Sequence, residues 1–116
     1  MTEVNEGEWV EELPAEVMVC DREGVILAMN AAAEGFFAED GGRSLLGSDL
    51  LACHPEPYRS KLKGMLTIPA ANSYLSTEKG ATRFFHQSPW FQSGEFSGCV
   101  EISFEVPDEL PHFIRE

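Results

Sequence analysis

The chain has 116 residues, the length of one domain, and 43% of them are hydrophobic, which is usual for a globular protein and excludes a disordered or collagen-like chain. Its 20 acidic and 8 basic side chains give a net charge of -12, so a nucleic-acid backbone or an anionic membrane surface would repel it. No apolar run approaches the roughly 18 residues of a membrane span and no signal pattern opens the chain, so we expect a cytoplasmic protein. Its 3 irregularly spaced cysteines form no disulfide framework, so we expect free thiols.

The first predicted element is a short helix in an acidic segment. Trp9, Val10 and Leu13 lie at helical spacing before Pro14, which predicts a short amphipathic helix. No Lys or Arg precedes Arg22, and we expect the opening segment to be solvated because of its charge. Its acidic residues are Glu3, Glu6, Glu8, Glu11, Glu12, Glu16 and Asp21.

A hairpin and a helix come next. The runs EVMVCD and VILAM flank the sequence DREG, which predicts two antiparallel strands joined by a turn from Asp21 to Gly24. Gly24 is suited to a positive φ in that turn. Asn30 is a good N-cap for the helix predicted over AAAEGFF.

The middle of the chain contains a connector and the best predicted helix. RSLLGSDLLACHPEP has glycine and proline among short apolar pieces, which predicts brief helical turns. Pro55 and Glu56 suit the first turn of a longer helix. Its apolar face is predicted to hold Tyr58, Leu62, Met65 and Leu66, opposite a solvated face with Arg59, Lys61 and Lys63.

Three antiparallel strands are predicted at the end, over NSYLST, ATRFFHQSPWF and FSGCVEISFEV. The last alternates between an apolar row and a more polar row. We expect the apolar row to be buried and the other row to lie on the outer, wetter face. The apolar row is Val100, Ile102, Phe104 and Val106, and the other row is Cys99, Glu101, Ser103 and Glu105. The element order predicts an α+β fold with helices over one face of an antiparallel sheet.

Four motifs in this order resemble the PAS family over residues 13 to 106. They are VCDREGVILAMNAAAEGFF, LLGSDLL, HPEPYRSKL and the three closing strands. The resemblance implies a PAS-like (profilin-like) five-stranded antiparallel sheet in the order 2-1-5-4-3, with short helices enclosing a pocket. We therefore expect an acidic segment with a short helix at 1–13, a PAS domain at 14–107 and a tail at 108–116.

The same resemblance implies a sensory signal-transduction domain rather than an enzyme. Such a domain binds a small apolar metabolite or cofactor and passes a signal by protein–protein contact, to a histidine kinase or regulator as effector. The resemblance also implies a homodimer, in which residues Glu8 to Leu13 pack across the sheet or against their twin. The alternative is a ligand-free dimerisation or protein-interaction module with a filled core.

Departures from the family's motifs disfavour three cofactor chemistries: histidine-ligated haem, the flavin–cysteine adduct and the chromophore of photoactive yellow protein. HPEPYRSKL resembles the helix entry of oxygen-sensing haem PAS domains, but Leu62 stands where those domains have the iron-binding histidine, and His54 lies elsewhere. The cysteine motif of flavin-binding light sensors is missing after Gly47. Met29 stands where photoactive yellow protein has a tyrosine for its chromophore.

Three cysteines and His54 are candidates for catalysis, metal binding or redox pairing. Cys53 and His54 are adjacent, but neighbours in sequence seldom point at each other and no metal-ligand spacing accompanies them, so we disfavour catalysis and metal binding. Cys20 and Cys99 lie on strands that the implied order makes neighbours, and a redox pair there needs Cα atoms within about 7 Å.

The candidate pocket residues are mostly aromatic. Aromatic side chains beside a few polar groups are the usual composition of a small-molecule site. Strand alternation places Phe84, His86 and Ser88 on one face of the fourth strand and Arg83, Phe85 and Gln87 on the other, without showing which face is inward. Our candidates are Phe36, Phe37, Cys53, His54, Tyr58, Leu62, Tyr74, Phe84, His86, Trp90 and Ile102.

Overall fold

The computed structural model describes residues 7–116, apart from the side chain of Cys53. The helices are α1 (Glu8–Glu11), α2 (Ala31–Phe36) and α3 (Tyr58–Thr67). The strands are β1 (Glu16–Asp21), β2 (Ile26–Met29), β3 (Asn72–Glu78), β4 (Ala81–Gln92) and β5 (Glu95–Val106). Short 3₁₀ turns at Ala38–Asp40, Gly42–Leu45 and Leu51–Cys53 connect α2 to α3.

The strands form one antiparallel sheet in the order β2-β1-β5-β4-β3, as the resemblance implied. The first and last strands are therefore neighbours, and Cys20 lies directly opposite Cys99. None of the helices between residues 7 and 116 is both long and apolar enough to span a bilayer.

The β1–β2 hairpin forms through the predicted turn chemistry. The Asp21 carboxylate accepts hydrogen bonds from the backbone amides of Glu23 and Val25, both at 2.9 Å. Gly24 has a φ of +87°, a conformation that glycine adopts without steric cost. The predicted turn is therefore confirmed.

Asn30 caps α2 as predicted and also ties three segments together. Its Oδ1 atom accepts hydrogen bonds from the amides of Ala33 (3.0 Å) and Val17 (3.1 Å). Its Nδ2 atom donates to the carbonyl oxygens of Val10 (2.8 Å) and Ala15 (2.9 Å). One buried side chain therefore fixes α1, β1 and α2 relative to each other.

The opening segment is only partly solvated, and α1 is shorter than predicted. Glu16 has no exposed surface, so the expectation that all the early carboxylates are solvated was wrong for this residue. The helix ends at Glu11, before the predicted Leu13. The predictions that concern residues 1–6, including Glu3 and Glu6, lie outside the described residues.

The long helix buries one face against the sheet. Leu62, Met65 and Leu66 are buried together with Cys20 and Cys99, as the helical spacing predicted. Tyr58, the fourth residue of the predicted face, is 64% exposed because it lies in the first turn of α3, at the edge of the helix–sheet contact.

The predicted inside and outside of β5 are reversed. Cys99 and Ser103 are buried on the face under the helices, with Glu101 half-buried between them. The apolar row of Val100, Ile102, Phe104 and Val106 lies on the opposite face. Alternation separates the two faces of a strand but does not say which face the helices cover, and here both rows can be partly buried.

Candidate functional site

The helix-covered face of the sheet carries an unusual number of polar side chains. The register aligns Met18, Glu101 and Gln87 across β1, β5 and β4, and it continues to Asn72 on β3. Because side chains alternate along a strand, the residues two and four positions away share this face. They are Glu16 and Cys20 on β1, Cys99 and Ser103 on β5, Phe85 and Arg83 on β4, and Tyr74 on β3.

A cavity of about 170 Å³ lies between α3 and this face, and we call it the main cavity. Leu62 and Met65 give it an apolar wall, while the strands contribute amide and phenol groups. Its lining residues are His54, Tyr58, Lys61, Leu62, Met65, Asn72, Tyr74 and Gln87.

Two further spaces adjoin the main cavity. The inner void, of about 20 Å³, shares His54, Leu62 and Gln87 with it and reaches Glu101. The side cavity, of about 370 Å³, lies on the other side of His54 and Leu50 and includes Phe37 in its wall. His54 lines all three spaces, so it stands at their junction.

The His54 ring is held by the connector. Its Nδ1 atom is 2.8 Å from the carbonyl oxygen of Leu50. A carbonyl only accepts hydrogen bonds, so Nδ1 carries the proton, and in the neutral ring Nε2 is left as an acceptor. The histidine thus satisfies a backbone group of the connector. The Cys53 side chain lies outside the described part of the structure.

A hydrogen-bonded chain runs along the buried end of the same face. Ser103 donates from Oγ to Glu16 Oε2 at 2.5 Å, and Arg83 donates from Nε to Ser103 Oγ at 3.0 Å. The Arg83 guanidinium also lies 4.6 Å from the centre of the Phe36 ring, within cation–π distance. Within residues 7–116, no group donates to Oε1 of Glu16.

Burial shifts the acidity of two carboxyl groups on this face. Burial, and then the charge of Glu101, raises the pKa of Glu16 from 4.5 to about 7, against the opposing effects of Ser103 and Arg83. Burial also raises the pKa of Glu101 to about 7, and the charge of Arg83 opposes it. Glu16 and Glu101 are diagonal neighbours on β1 and β5, and the desolvated charges repel each other. Both groups are therefore partly protonated near neutral pH.

The raised pKa of Glu16 predicts that the protein becomes more stable as the pH falls from 8 to 5. A group whose folded-state pKa lies above its unfolded value stabilises the fold below the unfolded pKa, and this contribution is lost as the pH rises through the folded pKa. A shift from 4.5 to about 7 corresponds to about 3 kcal/mol. Urea unfolding at each pH measures the change.

Glu16→Gln, which is neutral at every pH, should reduce this slope, whereas exposed Glu78→Gln should keep it. A wild-type protein that is more stable at pH 8 than at pH 6 would contradict the assignment. So would a Glu16→Gln protein with an unchanged slope.

The two described cysteines lie opposite each other on neighbouring strands, and both have raised pKa values. Cys20 and Cys99 are buried free thiols on opposed positions of β1 and β5, a spacing within reach of a disulfide. Burial raises the pKa of Cys20, and it raises that of Cys99 to about 11. The thiolate is the reactive form, so burial opposes the reactivity of both thiols.

The structure brings some of the candidate residues together and separates others. His54, Tyr58, Leu62 and Tyr74 line the main cavity, and Phe37 lines the side cavity. Phe36 lies beside the site, where it contacts the Phe37 ring edge-on with centroids 4.9 Å apart.

The remaining candidates lie away from the main cavity. Phe84, His86 and Ile102 are on the opposite face of the sheet, where His86 Nδ1 is 2.6 Å from Ser73 Oγ. Trp90 of β4 donates from its indole nitrogen to the carbonyl oxygen of Cys20 on β1 at 2.9 Å, so its side chain reaches across β5. In each case strand alternation, rather than residue type, decides the placement.

Several polar residues of the site are absent from the candidates chosen from the sequence. Helical spacing places Met65 on the apolar face of α3 and Lys61 on its solvated face, and in the structure both line the main cavity. Asn72, Gln87 and Glu101 share one face through the register of three strands, a signal that appears only once the inward face is known. Among residues 7–116, no group of three or more His, Cys, Asp and Glu side chains is placed to hold a metal ion.

Comparisons with known proteins identify the fold. No protein-family model matches the chain, and no curated protein matches it either. The PAS domain of BvgS from Bordetella pertussis superposes with a TM-score of 0.58 at 19% identity, over 85% of this chain and 82% of that one. The Aer2 receptor from Vibrio cholerae, described as a dual PAS–haem oxygen sensor, superposes with a TM-score of 0.61 at 16% identity, over 80% and 95%.

A third solved structure matches over a greater length of this chain. The VqmA dimer from Vibrio cholerae superposes with a TM-score of 0.69 at 15% identity. The match covers 100% of this chain but 58% of that one, so this chain spans little more than half of the VqmA chain. Identities this low show a shared fold and nothing finer.

Proposed function

Because the chain has the PAS fold, we propose that it is a sensory signalling domain that binds a small molecule and catalyses no reaction of its own. The observation that supports binding is the main cavity, which combines an apolar wall of Leu62 and Met65 with amide and phenol groups of Asn72, Tyr74 and Gln87. Such a mixture binds an apolar body and fixes its orientation with a few hydrogen bonds. The signal then passes by contact to an effector such as a histidine kinase or regulator.

The main cavity by itself has room for a small metabolite only. At about 170 Å³ it is smaller than the roughly 300–1,000 Å³ of typical drug-sized sites. The residues do not fit a histidine-ligated haem either. Leu62 in the cavity wall, which stands where oxygen-sensing haem PAS domains have the iron-binding histidine, offers no lone pair to iron.

Native mass spectrometry and a thermal-shift screen of metabolites test ligand binding. We expect a small molecule to co-purify with the protein or to raise its melting temperature. Gln87→Leu, which removes a polar group from the cavity, should weaken the effect, whereas Gln92→Leu at the exposed end of the same strand should not. A protein that is always empty and unresponsive would instead support the ligand-free interaction module.

We also propose that the domain forms a homodimer through the outer face of its sheet. Val10 of α1 lies beside Val17, Val19 and Ala28 of the outer face, where they enclose a small cavity. The neighbouring Trp9 is 62% exposed. The face also carries the apolar row of β5, which is half-buried except for the exposed Phe104, and a partner copy would remove this surface from water.

Dimerisation should strengthen as salt rises, because salt screens repulsion between the acidic N-terminal segments over about 8 Å at physiological ionic strength. Light scattering across a salt series, on the intact chain and on a chain without residues 1–13, measures this. The intact chain should dimerise and the shortened one should not.

Trp9→Ala serves as a second variant, since the exposed indole has no described role in the fold and its loss should weaken only the dimer. Monomers throughout, or equal dimerisation of the truncated chain, would exclude a role for the N-terminal helix in assembly.

A further inference from the structure

The ionisable groups at the inner end of the site include two carboxyl groups but one cation. Glu16 and Glu101 both lie on the helix-covered face, and Arg83 is the cation of that face that acts on both. Arg83 is already engaged, since it donates to the hydroxyl and the carbonyl oxygen of Ser103 and lies over the Phe36 ring. When both carboxyl groups are ionised, this region carries one uncompensated negative charge.

Glu101 is the carboxylate that a ligand can reach. It lines the inner void beside His54, Leu62 and Gln87, the same three residues through which the void meets the main cavity. Within residues 7–116 its carboxylate accepts no hydrogen bond. A desolvated acceptor without a donor is costly, so a ligand that supplies donors there gains affinity.

The other groups around the inner void do not supply that donor. The Gln87 carbonyl accepts from Asn72 Nδ2 at 3.1 Å, and within residues 7–116 the Gln87 amide nitrogen makes no hydrogen bond to Glu101. Cys20 and Cys99 offer only weak thiol donors. The protonated nitrogen of His54 is directed to Leu50, which leaves an acceptor nitrogen on the neutral ring. Lys61, on the α3 side of the main cavity, is exposed and lies outside the residues that line the void.

We propose that the ligand is a small primary amine whose ammonium group occupies the inner void and donates to Glu101, while its apolar body lies in the main cavity against Leu62 and Met65. The void measures about 20 Å³, enough for one water-sized group such as an ammonium. This inference rests on the proposed ligand-binding function and names its ligand class. It also replaces the expected apolar ligand with an amphiphilic one.

Three probes of matched size test the charge of the ligand, namely n-butylammonium, 1-butanol and butyrate. In NMR titrations at pH 8 we expect n-butylammonium to bind at least about tenfold more tightly than the other two, because an ion pair in a desolvated site is a strong interaction. Glu101→Gln should abolish that preference. Glu95→Gln, an exposed change of the same kind on the same strand, should retain it.

The pH dependence needs no variant. The n-butylammonium probe stays protonated at both pH 8 and pH 6. Glu101, with a pKa of about 7, is mostly ionised at pH 8 and mostly neutral at pH 6. The affinity for n-butylammonium should therefore fall about tenfold from pH 8 to pH 6, while that for 1-butanol should not.

The outcomes separate this inference from the function beneath it. Equal binding of 1-butanol or butyrate, or ammonium binding that ignores Glu101 and pH, would overturn the amine assignment and leave ligand binding intact. If none of the three probes binds while the metabolite screen finds a ligand, the amine assignment is overturned and ligand binding stands. If neither the probes nor any metabolite in the screen binds, both the amine assignment and the proposed ligand-binding function are overturned.

Discussion

Replacing Gly98 with alanine is expected to lower the free energy of unfolding by more than about 4 kcal/mol, which is enough to unfold many domains of this size. Gly98 is buried on β5 directly opposite Asp21, with a φ of +141°. An added Cβ would overlap the carbonyl oxygen of Cys20 and lie 2.8 Å from the Cα of Asp21. The obstacle is backbone, so no side-chain rotation relieves it and β1 must separate from β5.

Two other glycines provide controls for the urea-unfolding measurement. Gly94→Ala adds a Cβ in open space at a φ of +81°, so it should cost only the backbone strain, of about 1 kcal/mol. Gly35→Ala, in helix α2 with open space around it, should be neutral or stabilising by up to about 1 kcal/mol. A Gly98→Ala protein as stable as Gly94→Ala would show that β1 and β5 are not this close.

Asn30→Ala is expected to cost about 3 kcal/mol or more. Loss of an N-cap alone typically costs about 1 kcal/mol. Here the substitution also removes the partners of the Val17 amide and of the Val10 and Ala15 carbonyls, in a side chain that is 3% exposed. Each buried backbone group left without a partner adds about 1–3 kcal/mol unless water reaches it.

Asn72→Ala is the matched control, because it removes the same amide from a half-buried site with one side-chain hydrogen bond, to Gln87. It should cost less than about 1 kcal/mol in the same chemical-denaturation assay. Equal losses for the two variants would mean that Asn30 does not join α1, β1 and α2.

The elements of this fold could be predicted because their signals are local. The turn at Asp21 and Gly24, the Asn30 cap and the period-two pattern of the last strands each depend on a few neighbouring residues. Each of these predictions is confirmed. The strand order came from resemblance to the PAS family rather than from periodicity, and it too is confirmed.

The candidate site was predicted less well because it depends on which face of the sheet the helices cover. The apolar row of β5 suggested the wrong inward face, so Ile102 was chosen and Glu101 was passed over. On β4 the sequence left open whether the face of His86 or that of Gln87 points inward. Glu16 looked like one more solvated acid, and its burial depends on Ser103, 87 positions away in the chain. Contacts of that range leave no pattern in a short stretch of sequence.

The central claim is that this PAS-fold domain binds a small molecule between α3 and the sheet. The most direct test is to add metabolite fractions to ¹⁵N-labelled protein and to map the amide signals that shift. We predict that the shifts cluster at His54, Leu62, Tyr74 and Gln87, which line the main cavity. A spectrum that no fraction changes would contradict the claim, and so would shifts confined to the opposite face, at Phe84 and Ile102.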